Sequence, residues 1–151
     1  MENKKKEETK YQITMNKRQL ELLSYGCEQL ARLIQGQSNA LQDLFETAWE
    51  RRCKEATGKM MDKEFEGGWY DMRADAEAII SQIKRRFWGL DHYTENGIHY
   101  SETSDIFWEM YEVLRHQLWL DLPEDRKSPM TVDASPAFQL SNEPLIEVKK
   151  I

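Results

Sequence analysis

Residues 104–121, SDIFWEMYEVLRHQLWLD, constrain the fold more than any other stretch: they are the most aromatic part of the chain and repeat with a helical period. Phe107, Met110, Tyr111, Leu114 and Leu118 follow steps of 3, 1, 3 and 4, which put them on one stripe of a helix. Trp108, Val113 and Trp119 lie off that stripe, so the helix has to be covered along more than one face. Asp105, Glu109 and Glu112 form a second, acidic face. Ser104 is the expected N-cap, Asp105 suits the positive end of the helix dipole, and Pro123 ends the helix soon after Asp121. Arg115 and His116 lie toward the C-terminal end, where the dipole favours positive charge.

Three further helices are legible upstream. Residues 1–10 read as a flexible charged tail, and Tyr11–Met15 alternates as a short strand does. Asn16 is placed to cap a helix from Lys17 to about Gln35, with Leu20, Leu23, Cys27, Leu30 and Ile34 on its apolar face and Gly36 as its left-handed stop. Gly26 inside this helix is expected to permit a close packing contact, since glycine there costs about 1 kcal/mol relative to alanine. A second helix starts near Ser38, shows Leu41, Leu44, Phe45, Ala48 and Trp49 on one face, and closes at Thr57-Gly58. Met60, Met61 and Phe65 fall in a linker interrupted by Gly67-Gly68. The third helix runs from about Trp69 to Trp88, with Met72, Ala76, Ile79, Ile80, Ile83 and Phe87 inward, and Gly89 stops it. In the 90–103 loop, Asn96-Gly97 carries the signal of a type I′ turn and a small hairpin.

All four prolines follow Leu122 and divide the remainder into extended pieces, of which Met130–Val132 and Leu145–Val148 suit edge strands. The expected fold is therefore mainly α. About four helices form a bundle over residues 11–122, with a short N-terminal strand and an extended, proline-divided arm at 123–151.

Charge and cysteine usage narrow the function. The net charge of −6 argues against a general nucleic-acid binder, which needs a basic surface to displace counterions. No apolar run is long enough for a membrane span, and MENKKKEETK leads into no apolar segment of the secretory kind, so the expected setting is a cytoplasm. Cys27 and Cys53, without a CxxC, read as two reduced thiols on helices. No GxSxG, Walker A, GxGxxG, HExxH or zinc-finger spacing occurs, so neither an enzyme nor a cofactor is expected. His92 and His99 in the loop, and the Glu112/His116 pair on the last helix, lack the further ligands a metal site needs.

Two basic-aromatic clusters remain: Lys84, Arg85, Arg86, Phe87 and Trp88, and then Arg115, His116 and Trp119. Arginine forks match phosphate and aromatic rings stack on bases, so both clusters suit a nucleotide. Both also sit near helix C-termini, where cations are favoured without any ligand. As ligand-binding candidates, Arg115, Arg85 or Arg86 would hold phosphate, His116 would add a hydrogen bond, and Trp119 or Trp88 would stack. The alternative is a protein-interaction module docking through the acidic helix and the C-terminal arm. The arm and the five tryptophans point to a homo-oligomer under either reading.

Three patches together bear a likeness to a family. They are Lys17-Arg-Gln-Leu-Glu-Leu-Leu23 with Ala31-Arg32-Leu33 and Gly36-Gln37; Tyr111 to Asp121; and Ser141-Asn-Glu-Pro-Leu145. This arrangement resembles small uncharacterised proteins encoded by phages and prophages, especially those of gut bacteria. The resemblance implies action in the bacterial host cytoplasm. By analogy of class it suggests a non-enzymatic accessory protein that evades host defence by sequestering a nucleotide signal.

Overall fold

The structure is a computed structural model, and it describes residues 11–151, the side chain of Asn39 excepted. The expected tail at 1–10 lies outside the described residues. Four helices carry the fold: α1, Lys17–Ile34; α2, Asn39–Thr57; α3, Gly68–Trp88; and α4, Glu102–Leu120. Their ends follow from local chemistry. Asn16 and Gln19 form a reciprocal capping box at the start of α1, each side chain accepting from the other's backbone N–H at 2.9 Å. Gly58 and Gly89 end α2 and α3 in the left-handed region.

The start of α4 differs from expectation. Its cap is Ser101, whose hydroxyl accepts from the Ser104 N–H at 3.1 Å and whose extended backbone suits the cap position. Ser104 is already helical and fully buried, its own hydroxyl donating to the Ser101 carbonyl at 2.9 Å.

The described residues contain no strand. Tyr11–Met15 is exposed and has no ladder partner, and Met130–Val132 and Leu145–Val148 form none either. Residues 122–151 instead carry two 3-10 turns, Glu124–Arg126 and Val132–Ala134, and five backbone groups of the segment bond to side chains of α4, the rest of its backbone bonds being local. The Asn96-Gly97 hairpin is also absent. A type I′ turn needs positive φ at both central residues, but the left-handed residue of this loop is His99 at +67°. His99 is fixed there because its backbone N–H and Nδ1 both reach the Asp105 carboxylate, at 2.9 and 3.1 Å.

The helices pack as two antiparallel pairs, α1 with α4 and α2 with α3. The first pair closes over small residues, Ser24, Cys27 and Ala31 on α1, facing Leu114 on α4. Leu30, expected inward, is 45% exposed because Ala31 takes the contact. Gly26 does not serve packing: a Cβ built there meets nothing within 4 Å. The second pair closes over Trp49 and Cys53 of α2 and Ala76 and Ile80 of α3. The expected face of α2 is largely outside, with Leu44 at 61% and Phe45 at 37% exposure. Ile79 and Phe87 of α3 are exposed as well.

The pairs meet end to end at residues 34–40 and 88–98. Trp88 donates its indole N–H to the Ile34 carbonyl at 3.0 Å, and the Asn96 N–H bonds the Gln35 carbonyl at 2.8 Å. Gly36 (φ +79°) is required at this junction, since a Cβ would sit 2.8 Å from Leu90 Cδ1 and 3.4 Å from the Trp88 ring.

Candidate functional site

The two basic-aromatic clusters do not form one site, because each has different neighbours. Arg115, His116 and Trp119 hold the C-terminal segment. Arg115 lies 3.7 Å from Asp133 and 3.9 Å from Glu112, with its guanidinium over the Tyr111 ring at 5.3 Å. His116 is bonded through Nδ1 to the Asp133 carbonyl at 2.9 Å, which makes Nδ1 the protonated nitrogen, and its ring stacks on Trp119. Trp119 donates to the Ser128 carbonyl at 3.2 Å, and the Lys127 ammonium sits 5.7 Å over its ring. In the first cluster, Trp88 is committed to the junction, while Arg85 and Arg86 are exposed without an ion-pair partner among the described residues. Phe87 is not the inward residue expected: it is exposed, and its ring meets that of Trp88 edge to face at the end of α3.

The acidic face of α4 is used within the chain too. Glu109 is 3% exposed and accepts from the backbone N–H groups of Leu140 and Ser141 and from the Ser141 hydroxyl. Glu112 accepts from the Phe138 N–H at 3.0 Å. These contacts fold the segment back along α4 and bring Leu140 to the rim of a cleft.

That cleft, about 490 Å³, opens between the C-terminal end of α1, the 95–98 loop, α4 and Leu140. Its floor is a directed relay. Glu28 accepts from Arg32 at 2.8 and 3.0 Å, and Arg32 donates through its other terminal nitrogen to Gln37 Oε1 at 2.7 Å. Arginine can only donate, so Gln37 has to present its oxygen to Arg32 and its NH₂ to Gln35 Oε1, at 3.2 Å. This settles the Gln35 amide as well: its Nε2 is the group left over. Gln35 is 1% exposed, and that Nε2 has no hydrogen-bond partner among the described residues.

Trp108, beneath the Arg32 guanidinium at 5.1 Å, likewise keeps a buried indole N–H without a partner among the described residues. Leaving such a donor buried and unpaired costs about 1–3 kcal/mol. The cleft thus has a surplus of donors but no excess positive charge: Arg32 is paired with Glu28, and Glu95 and Glu112 stand as acceptors at its edges. Beneath the α4 wall, burial and the neighbouring Glu28 carboxylate push the Tyr111 hydroxyl above its ordinary range.

A smaller hollow of about 270 Å³ lies across the same loop, and Glu95 borders both. The buried Lys84 ammonium donates there to the His92 carbonyl at 2.7 Å. Ser81 gives its one hydroxyl proton to the Glu77 carbonyl, so toward His92 it accepts, which places a proton on His92 Nδ1. His92 and His99 are therefore held by different partners, and the described residues contain no group of three metal-ligand side chains. No described helix is long and apolar enough to cross a membrane.

Arg32, Gln35, Gln37 and Trp108 were not marked by any motif. Their one local sign is the Gln-Gly-Gln run at the helix stop; their meeting with Trp108 depends on α1 docking against α4. Comparison with known proteins leaves the cleft to be read on its own chemistry: no family model, no curated protein and no solved structure matches this chain.

Proposed function

We propose that the protein is a non-enzymatic binding protein that holds a small phosphate-bearing ligand of nucleotide type in the cleft between α1, α4 and the 95–98 loop. The observation that carries this reading is the Gln35 amide, buried on the cleft floor and fixed by the Glu28–Arg32–Gln37 relay so that an N–H remains to be satisfied. Phosphate or carbonyl oxygens would satisfy Gln35 and the Trp108 N–H, and Arg32, though paired with Glu28, keeps one N–H on each terminal nitrogen to donate. Glu95 and Glu112 would accept from sugar hydroxyls or base amino groups. The volume of about 490 Å³ is ordinary for a small-molecule site. The likeness to phage and prophage proteins supplies the setting: capture, without cleavage, of a nucleotide signal of host defence in the bacterial cytoplasm. A protein partner docking on the acidic face of α4 is the weaker reading, since Asp105, Glu109 and Glu112 already bond within the chain.

The test is native mass spectrometry of protein purified from bacterial cells, followed by titration with ADP-ribose and cyclic AMP read by tryptophan fluorescence and melting. A retained small mass or a saturable response is expected. Arg32→Ala should weaken binding about 10–150-fold, from loss of roughly 1.5–3 kcal/mol of charged hydrogen bonds. No retained mass and no response up to about 1 mM, the limit of roughly 4 kcal/mol of binding, would overturn the reading.

A further inference from the structure

The polar groups of the cleft are sorted by place, donors on the floor and acceptors at the edge. Gln35 Nε2 and Trp108 Nε1 are buried without partners among the described residues. Both lie beside the Arg32 guanidinium, the first through the Gln37 amide and the second beneath it at 5.1 Å. The Glu95 and Glu112 carboxylates stand at the edge, and their states differ. Glu112 already accepts from the Phe138 N–H at 3.0 Å. Glu95 takes no side-chain hydrogen bond or ion pair among the described residues. It is nevertheless tethered: the next residue, Asn96, donates its backbone N–H to the Gln35 carbonyl at 2.8 Å. The free carboxylate and the free amide are thus carried by two stretches of chain that touch.

A phosphate cannot satisfy both places. Its oxygens suit the floor, but two carboxylates at the edge repel it and Glu28 has already neutralised Arg32. The part of a ligand that enters this cleft has to present acceptors on one edge and N–H donors on the next. Among the bases of a nucleotide, adenine and cytosine each offer one amino donor beside ring acceptors, and uracil sets one N–H between two carbonyls. Guanine alone joins two acceptors, O6 and N7, to two adjacent donors, N1–H and the 2-amino group. That donor pair matches the two oxygens of one carboxylate.

We propose, resting on the nucleotide reading of this cleft, that the base it selects is guanine. Gln35 and Trp108 donate to the O6 and N7 edge, Glu95 accepts from N1–H and the 2-amino group, and the phosphate is left toward the open mouth. The test is titration of the full chain with GMP, IMP, AMP and ADP-ribose, read by tryptophan fluorescence, for wild type and Glu95→Gln. IMP lacks only the 2-amino group, and AMP carries an amino donor where guanine has O6. Wild type is expected to bind GMP about 5–150-fold tighter than IMP or AMP, the range of one bidentate pair. Glu95→Gln presents a single acceptor oxygen, so it should weaken GMP by a similar factor, leave IMP within about threefold and erase the preference. Glu95 is exposed on the loop, and the wild-type GMP-to-IMP ratio reads the base edge without any variant. GMP, IMP and AMP bound within about threefold of one another overturn the guanine assignment and leave the nucleotide reading standing. So does a GMP preference that survives Glu95→Gln, or ADP-ribose bound where GMP is not. No response to any of the four up to about 1 mM overturns both.

Discussion

Removing the Glu109 carboxylate should release the C-terminal segment without melting the helices. The group is 3% exposed and takes three hydrogen bonds, from the backbone N–H groups of Leu140 and Ser141 and from the Ser141 hydroxyl, the last at 2.7 Å. Hydrogen bonds to a charged acceptor contribute about 1.5–3 kcal/mol each, but these three act as a unit and a freed segment regains water, so Glu109→Ala should cost about 3 kcal/mol locally. Glu109→Gln keeps a carbonyl for the two N–H groups and offers its NH₂ to the Ser141 oxygen, so it loses mainly the charge, about 1 kcal/mol. Amide exchange over residues 138–142 reads both. At about 1.4 kcal/mol per tenfold, Glu109→Ala should speed exchange roughly 100-fold and Glu109→Gln less than about tenfold, with α1–α4 protection retained. Exchange within about threefold of wild type in Glu109→Ala would refute the argument that these bonds hold the segment. Equal damage from both variants would show that charge, not hydrogen-bond geometry, is what matters.

Two glycine replacements should act in opposite directions. Gly26→Ala meets open space and should raise stability by about 1 kcal/mol, whereas Gly36→Ala meets Leu90 and a left-handed backbone and should lower it by about 1–3 kcal/mol, both read as urea midpoints; shifts of one sign would contradict the packing described. Burial raises both the Cys27 thiol and the Tyr111 hydroxyl. The unfolded chain therefore gives up protons that the fold retains, and stability should be intact below the ordinary values of 9.0 and 10.0 and fall as pH rises through them. Midpoints at about pH 8 and about pH 10.5 should differ, and Cys27→Ala with Tyr111→Phe should flatten the slope; an unchanged slope would count against burial as the cause.

Helix ends were the most legible part of the fold, because a cap is decided by neighbours a few residues away. Asn16 with Gln19, and the left-handed glycines 36, 58 and 89, fall where their chemistry requires. Which face turns inward was less legible. In α2, the stripe of Leu41, Leu44, Phe45, Ala48 and Trp49 looks like the core by hydropathy, yet only Trp49 at its edge is buried, with Cys53 beside it, while Leu44 and Phe45 are exposed. A helix with apolar residues around much of its girth does not say which neighbour comes first. At α4 the expected cap, Ser104, lies inside the helix, and the extended backbone of Ser101 three residues earlier makes that residue the cap.

The cleft was hidden for a related reason. An arginine, a histidine and a tryptophan near a helix end read the same whether they await a nucleotide or bond to Asp133 and Ser128 of their own chain. Arg32 and Trp108, which do meet over a cleft, are separated by two helices in sequence and by 5.1 Å in space.

The pairing of first helix with last sets the order in which the chain can mature on the ribosome. The α2–α3 pair closes through a short linker soon after it is made, while α1 waits for α4 across residues 35–101. At about 5–20 residues per second of synthesis, that wait is roughly 3–13 s. During it, Cys27 and Ala31 face whatever surrounds the nascent chain, with no Leu114 to cover them. Because Glu109 and Arg115 lie on the late helix, the C-terminal segment has nothing to fold onto until α4 has been made. The cleft is then the last feature to assemble, and a chain cut short after α3 would hold a helical pair but no cleft.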